Sequence, residues 1–233
     1  MSRFTTTTPT HGLFRSTLLG FAFLLGCQAM WILAAEIFRP SASIFPVRAQ
    51  AAAAAAAQRD QAALAARFGL IRGDLWAEYA LTYFDIIWSS DLNSINPQAP
   101  TTIYQAREIA DRALAFAPYD ARMWLVLAGI DARFDRLKPN MAIELRMSYY
   151  TGSNEIDLIP LRLFLAVQSN ALADRDFRQL VRHDVTTIVT RKPELKPAIL
   201  VAYRNAAPDG QQFLEETLRE IDPTLLATFQ SKG

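Results

Sequence analysis

The sequence has very little cysteine, histidine and glycine. Its single cysteine, Cys27, excludes an intramolecular disulfide and a cysteine-based metal cluster. The two histidines, His11 and His183, cannot form a His-x-x-x-His pair, and a Cys-x-x-Cys motif is also missing, so the common metal-ligand spacings are not present. Nine glycines among many alanines, leucines and arginines favour helix over sheet.

Sequence motifs for catalysis and nucleotide binding are missing as well. The chain contains no Gly-x-Ser-x-Gly, no P-loop and no Gly-x-Gly-x-x-Gly. Its carboxylates mostly alternate with arginines, as in Arg107/Glu108 and Asp111/Arg112, a pattern typical of solvated helix faces. With 24 basic and 23 acidic residues and no basic cluster, nucleic acid is not an expected partner. We therefore expect a protein that is not an enzyme and that needs no cofactor.

What the sequence does have is one long apolar run near its N-terminus. From Ser16 to Ala35 the only ionisable side chain is the thiol of Cys27. Such a run, at about 1.5 Å per helical residue, covers the ~30 Å hydrocarbon core of a bilayer. Arg15 and Arg39 bracket it, as expected at the two membrane surfaces. The sequence therefore predicts a transmembrane helix whose partner is the lipid bilayer.

Two other interpretations of this run stay open. Leu24-Leu25-Gly26-Cys27 resembles the lipobox of bacterial lipoprotein signals, which would make Cys27 a lipidation site. Ala49–Ala51 offers an Ala-x-Ala-like cleavage site for a secretory signal. Against both, the apolar run continues past Cys27 and exceeds the ~7–15 residues of a signal's apolar region. The uncleaved anchor is the preferred prediction.

The remaining chain divides into a linker and a helical region. Pro40 and Pro46 among small residues indicate an extended linker, and the seven alanines Ala51–Ala57 predict a helix that acts as a spacer. The predicted segments are a short tail at 1–15, a transmembrane helix at 16–39, a linker at 40–48, an Ala-rich juxtamembrane helix at 49–73 and a helical domain at 74–233.

Hydrophobic periodicity and breaker residues predict nine helices within that domain. Asn and Pro residues indicate a loop at Asp91–Pro100, and several prolines fall where first helical turns are expected. The predicted helices are Leu75–Trp88, Thr101–Phe116, Ala121–Leu137, Met141–Tyr150, Ile156–Leu172, Asp176–Val189, Pro193–Asn205, Pro208–Ile221 and Pro223–Phe229.

Part of this domain carries the spacing of a known repeat. Trp124 follows Pro118 by six residues, with Leu127 and Ala128 in register after it. This phasing resembles the tetratricopeptide repeat, in which two antiparallel helices form each unit. The resemblance covers about 75–150, and it implies an all-α fold: an N-terminal transmembrane helix followed by a tetratricopeptide-like array of helix hairpins. The core positions it implies are Trp76, Tyr83, Ala106, Ala113, Pro118, Trp124, Leu127 and Ala128.

The chain departs from the repeat pattern at defined positions. Ala110 replaces a usually large residue, and Asp131 replaces a tyrosine. More broadly, an N-terminal span followed by Ala117–Trp124 and Ser148–Glu155 looks like the small tetratricopeptide-like membrane proteins associated with bacterial polysaccharide biosynthesis. This resemblance implies an accessory role in envelope polysaccharide assembly or export.

One turn has the composition of a ligand site. Tyr149, Tyr150, Asn154 and Glu155 place aromatics beside an amide and a carboxylate, which could stack on and hydrogen-bond a sugar or contact a partner, with one tyrosine expected in the core. The function we expect is that of a membrane-anchored, non-enzymatic scaffold or adaptor for envelope proteins, such as those of polysaccharide biosynthesis or export. The alternative is a saccharide-binding accessory or enzyme subunit whose site is shared with a partner.

The flanks of the apolar run give a weak orientation signal. Arg3 and Arg15 precede it, while Arg39 and Arg48 follow it. Because the tail is short and everything foldable follows the run, we expect the N-terminus inside and the domain outside the cytoplasm. The expected location is the bacterial inner membrane, with a periplasmic C-terminal domain.

Overall fold

The computed structural model describes residues 10–40, 49–89, 99–134 and 139–230. Within these ranges the chain is helical and carries no strand, so the predicted all-α fold is confirmed. The α-helices are α1 (Thr10–Ile37), α2 (Ala49–Gly69), α3 (Gly73–Ser89), α4 (Ala99–Phe116), α5 (Ala121–Phe134), α6 (Pro139–Thr151), α7 (Ile159–Ala166), α8 (Arg175–Arg191), α9 (Lys196–Asn205), α10 (Pro208–Ile221) and α11 (Pro223–Gln230). Most of the predicted linker and of the predicted loop at Asp91–Pro100 lies outside the described residues.

Helix α1 is the one helix of the described ranges that is long and apolar enough to cross a membrane. Its apolar stretch, Gly12–Ile37, has 26 residues and a mean hydropathy of 2.0. Its side chains are exposed up to Leu33, whereas Ala35 is buried. The helix begins inside the predicted tail and ends before Pro40.

The last turns of α1 pack against the rest of the chain. The Trp31 indole N–H donates a hydrogen bond of 2.7 Å to the Phe68 carbonyl, and the Phe38 ring stacks on the Phe68 ring with centroids 5.7 Å apart. Ala35 lies in a small apolar cluster with Ala65 and Leu75. Because the Phe68 carbonyl belongs to the last turn of α2, Trp31 satisfies an acceptor that the helix itself leaves free.

The Ala-rich helix α2 is part of the packed domain and is not a separate spacer. It packs along α3, and Ala62, Ala65 and Ala66 are fully buried. Alanine side chains are small and let two helix backbones approach closely. The alanines of α2 therefore form the face that packs on α3. The predicted boundary between residues 73 and 74 lies within one residue of the start of α3, and α2 packs directly on the helix that follows it.

Helices α3 to α6 form a stack of hairpins. Helix α3 lies between α2 and α4, α5 pairs with α6, and α3, α5 and α7 contact one another in succession. Helix α5 approaches α3 at Gly129, where an added Cβ would lie 2.8 Å from a ring carbon of Phe84. A larger residue at this position would push the two hairpins apart.

The α2–α3 and α4–α5 turns share a local structure and lie side by side. The Trp76 indole donates to the Leu70 carbonyl at 3.0 Å, and the Trp124 indole donates to the Pro118 carbonyl at 2.8 Å, each across six residues. A Cβ on Gly73 would lie 2.6 Å from the Cβ of Ala117. We call the end of the stack formed by residues 70–72 and 117–120 the turn end.

Most of the predicted repeat core is buried. Pro118, however, is exposed in its turn. Trp124 is half-buried and packs against the core, while its indole N–H donates back to the Pro118 carbonyl. The buried predicted positions are Trp76, Tyr83, Ala106, Ala113, Leu127 and Ala128.

The predicted helix Ile156–Leu172 is not continuous. A 3-10 turn precedes α7, which ends at Ala166, and a second 3-10 turn follows it. The Ala207 amide donates to the Val167 carbonyl at 3.0 Å, and a Cβ on Gly210 would lie 2.0 Å from that same oxygen. The Val167 carbonyl therefore accepts its hydrogen bond from the residue that precedes α10. It is not available for the hydrogen bond that would continue α7.

The C-terminal helices begin as their prolines predict. Pro160, Pro197 and Pro208 lie in the first turn of α7, α9 and α10, where a missing N–H leaves no hydrogen bond unmade. Pro193 begins a separate 3-10 turn, so the predicted helix Pro193–Asn205 is shorter than expected. These helices extend the core of the stack toward the C-terminus.

Candidate functional site

The structure separates the residues of the predicted ligand turn. Tyr149 is only 2% exposed, and its ring packs edge-on against Phe177 with centroids 5.4 Å apart. Tyr149 is therefore the tyrosine of this turn that lies in the core, and it is not part of the exposed surface. Its role is to join α6 to α8.

The other three predicted contact residues are on the surface. Tyr150 is 65% exposed on the last turn of α6, and Asn154 and Glu155 are exposed in the turn that follows. Gly152 is buried between them, where a Cβ would lie 2.5 Å from the Cβ of Ala121. The turn therefore presents an aromatic ring, an amide and a carboxylate outward on a backbone that is fixed from below.

The turn is followed by a 3-10 turn that has no side-chain cap. Glu155 is the residue before the 3-10 turn Ile156–Leu158, and it makes no side-chain capping hydrogen bond. Ser153 and Asn154, just before it, are both exposed.

A fully buried arginine holds this turn from inside the domain. Arg162 of α7 donates from Nε to the Ser148 hydroxyl at 3.0 Å and from Nη1 to the Gly152 carbonyl at 2.9 Å, and its Nη2 bonds the Ser148 carbonyl. These two carbonyls lie at the end of α6, and each also accepts one backbone N–H, Ser148 from Gly152 and Gly152 from Glu155, so Arg162 supplies a second donor to each. Arg162 therefore caps α6 from a different helix.

The charge of Arg162 lies near two other titratable groups. Its guanidinium carbon is 4.9 Å from the centre of the Tyr149 ring, a cation–π geometry. Burial lowers the pKa of Arg162 and raises the pKa of Tyr149, and burial raises the pKa of Asp184 to about 7. This cluster is enclosed by protein, which indicates a structural role.

A second buried charge cluster links α4, α5 and α6. Arg107 bonds the Asp131 carboxylate, and its Nη2 lies 2.9 Å from Oε1 of Glu144. Burial raises the pKa of Glu144 to about 7, and the neighbouring Asp131 charge adds to this. Asp131 stands where the repeat pattern has a tyrosine, and this departure was the sequence signal for the cluster.

A third charge network ties α1 to the α2–α3 turn. Arg39 donates to Oε1 of Glu78 from Nε at 3.0 Å and from Nη2 at 2.6 Å. Arg72 bridges Glu36 at 2.7 Å and Asp74 at 2.6 Å. The bonds to Glu78 raise the pKa of Arg39, and the bond from Arg72 lowers the pKa of Asp74. The network adds polar contacts to the apolar contact between α1 and the stack.

A shallow pocket lies in the C-terminal part of the domain. It encloses about 250 Å³ and is lined by Ser169, Asn170, Leu172, Ala173, Arg178, Asp209 and Gln212. The Arg178 guanidinium lies 5.7 Å from the centre of the Phe213 ring. The pocket carries no nucleophile paired with a base, so its lining offers binding groups and not a catalytic set.

Across the described parts of the chain, no group of three or more His, Cys, Asp or Glu side chains could hold a metal ion. Comparisons with protein-family models, with curated proteins and with solved structures find no match. The site residues therefore have to be judged on their own geometry. That geometry offers exposed surfaces for binding and buried charges that connect helices.

Proposed function

We propose that this protein is a membrane-anchored, non-enzymatic scaffold of the bacterial cell envelope that gathers proteins of polysaccharide assembly or export. The observation that carries the proposal is the contact between α1 and the helical stack. Trp31, Ala35 and Phe38 of the apolar helix pack directly on α2, so the anchor and the stack are one body. A partner bound to the stack is thereby held at a fixed position relative to the membrane.

The stacked helix hairpins support a scaffold. Stacked hairpins present extended surfaces that commonly bind other proteins. The two turns with the same tryptophan hydrogen bond, at Trp76 and Trp124, are consistent with repeated units in this stack. The half-buried Arg107 and the buried Arg162 each use their guanidinium to connect helices.

The outer faces of α4 and α6 are the best candidates for the partner surface. Tyr104 of α4 is 74% exposed and Ile143 of α6 is 58% exposed, on the two helices that the Arg107–Glu144 bond joins. Exposed aromatic side chains are common anchors of protein–protein interfaces. We assign the first contact with a partner to these two residues.

The proposed location is the inner membrane, with the N-terminus in the cytoplasm and the stack in the periplasm. Arg3 and Arg15 before the apolar helix support this orientation. Fusions to Gly233 test it: alkaline phosphatase is active only outside the cytoplasm, and a fluorescent protein that matures only in the cytoplasm reports the opposite. Fluorescence without phosphatase activity would make the protein a cytoplasmic adaptor.

Site-specific photo-crosslinking in intact cells tests the scaffold. A photoreactive residue at Tyr104 or Ile143 should capture a defined envelope protein, identified by mass spectrometry as a glycosyltransferase or a chain-length regulator. The matched control carries the same photoreactive residue in place of Gln179, which is exposed on α8, and it should capture no envelope protein. Glycan binding by the purified protein, with no crosslink at either position, would refute the scaffold.

The alternative function is that of a saccharide-binding accessory subunit. Tyr150, Asn154 and Glu155 favour it, because they expose a ring and polar groups side by side. Replacing Tyr150 by Ala should then abolish glycan binding and leave the melting temperature unchanged, since the ring is exposed. Replacing Tyr104 by Ala is the control and should leave glycan binding intact.

A further inference from the structure

We propose that the turn end of the stack rests on the surface of the bilayer that α1 spans, with Leu70, Ile71 and Tyr119 inserted into its interfacial layer. The proposal rests on the proposed function in one respect, the spanning of the membrane by α1. It gives the domain a second attachment to the lipid, separate from the anchor.

The turn end is unusually apolar for a surface. Leu70 is 57% exposed, Ile71 is 77% exposed and Tyr119 is 81% exposed, although all three are large. They are at the tips of the α2–α3 and α4–α5 turns, which the contact between Gly73 and Ala117 holds together. These three exposed apolar side chains at one end of the stack form a surface that can enter lipid.

The direction of α1 places the membrane at this end. Trp31 contacts the carbonyl of Phe68, close to the turn, and Glu36 pairs with Arg72 in the turn itself. Arg39, two residues past the end of α1, pairs with Glu78, which is more than one helical turn inside α3. Helix α1 thus runs into the stack from the turn end, and its earlier, exposed residues project beyond that end.

The length of α1 sets the depth of the contact. Starting from Ser16, the ~30 Å hydrocarbon core takes about 20 residues and ends near Ala35. Trp31 then lies about 6 Å inside the edge of the core. Tryptophan is favoured at this level, and the Phe68 carbonyl that it binds is two residues from Leu70. The α2–α3 turn is therefore level with the headgroups and the first acyl carbons.

The backbone conformation of Leu70 is a further argument that its apolar side chain contacts lipid. Leu70 has a φ of 41°, a left-handed conformation that glycine adopts freely and that leucine adopts at a cost of about 1–2 kcal/mol. Its side chain makes up for this cost only if it gains contacts, yet it is exposed in the protein. Insertion into the interfacial layer would supply those contacts.

Fluorescence quenching in nanodiscs containing the full-length protein tests the proposal. An environment-sensitive dye is attached through Ile71→Cys, or through Thr101→Cys as the control, each in a Cys27→Ser background. Thr101 is exposed in the first turn of α4, at the opposite end of the stack. A lipid with a spin label near its headgroup should quench the dye at position 71 and blue-shift its emission, and it should leave the dye at 101 unquenched.

A dye on the native Cys27 shows whether a negative result means that the surface contact is absent or that α1 does not span the membrane. A dye on Cys27, in the middle of α1, should be quenched by a lipid with a spin label deep in its acyl chain. If Cys27 is quenched but the dye at 71 responds only to a water-soluble quencher, as the dye at 101 does, the surface contact is refuted and the anchor stands. If Cys27 is not quenched, the anchor is refuted and the surface contact with it.

Discussion

Replacing the buried Arg162 by methionine should strongly destabilise the domain. Methionine keeps much of the side-chain volume but removes every hydrogen bond from Arg162 to the end of α6, so the carbonyls of Ser148 and Gly152 keep only one backbone donor each. It also leaves the buried Asp184 without a nearby positive charge. Removing one member of such a buried charged cluster typically costs about 3–5 kcal/mol.

Thermal unfolding of the full-length protein in detergent, followed by circular dichroism, measures this effect. For a domain of this size, each 1 kcal/mol lowers the melting temperature by about 2–4 °C, so a fall of about 6–20 °C is expected. Arg191→Met is the matched control: Arg191 is exposed at the end of α8, and its replacement should change stability by less than about 0.5 kcal/mol. Equal melting temperatures for the two variants would refute the capping role of Arg162.

Three further predictions concern stability. Burial raises the pKa of Glu144 and of Asp184 to about 7, from 4.5 and 3.8. The folded state therefore holds protons that the unfolded state releases between about pH 4 and 7, and stability should fall as the pH rises through this window; a melting temperature higher at pH 8 than at pH 5.5 would contradict this. Gly210→Ala should destabilise by about 3 kcal/mol, measured by urea unfolding, because its Cβ would overlap the Val167 carbonyl; an unchanged midpoint would show that α10 can shift. Leu70→Gly should raise stability in detergent by about 0.5–1 kcal/mol, since relief of the left-handed strain exceeds the entropic cost of glycine; a lower melting temperature would show that the Leu70 side chain packs in the fold.

Local signals predicted the helices well. Several prolines, such as Pro208, lie in the first turn of a helix, because they have no N–H and a fixed φ, and this effect needs no knowledge of the tertiary structure. The apolar run of α1 and the tryptophan spacing at Trp124 are similarly local. Each of these features is decided by residues a few positions apart.

The errors share a physical origin in contacts between distant segments. Helix α7 ends early because α10 approaches Val167, and the alanines of α2 became a contact face because α3 packs on them. Arg162 is buried with its hydrogen bonds made because its acceptors, in Ser148 and Gly152, are at the end of another helix. The sequence around each position is compatible with the structure, but it does not contain the partner segment.

The candidate site was predicted in part for the same reason. The turn after α6 was identified by composition, and Tyr150, Asn154 and Glu155 are on the surface there. The burial of Tyr149 depends on Phe177 of α8, which the local sequence could not indicate. The exposed Leu70 and Ile71 were not singled out, because a short turn between two helices has no periodicity to mark it.

The intact mass of the mature protein tests the central claim, that α1 is retained as a membrane anchor joined to the stack. The protein is extracted from bacterial membranes after a wash in alkaline carbonate, which removes peripheral proteins, and is analysed by mass spectrometry. The account predicts the unmodified full chain of 26.1 kDa in the carbonate-resistant fraction. A chain that begins near Ala49–Ala51, or one that begins at a lipidated Cys27, would contradict it, because either form lacks the part of α1 that spans the bilayer.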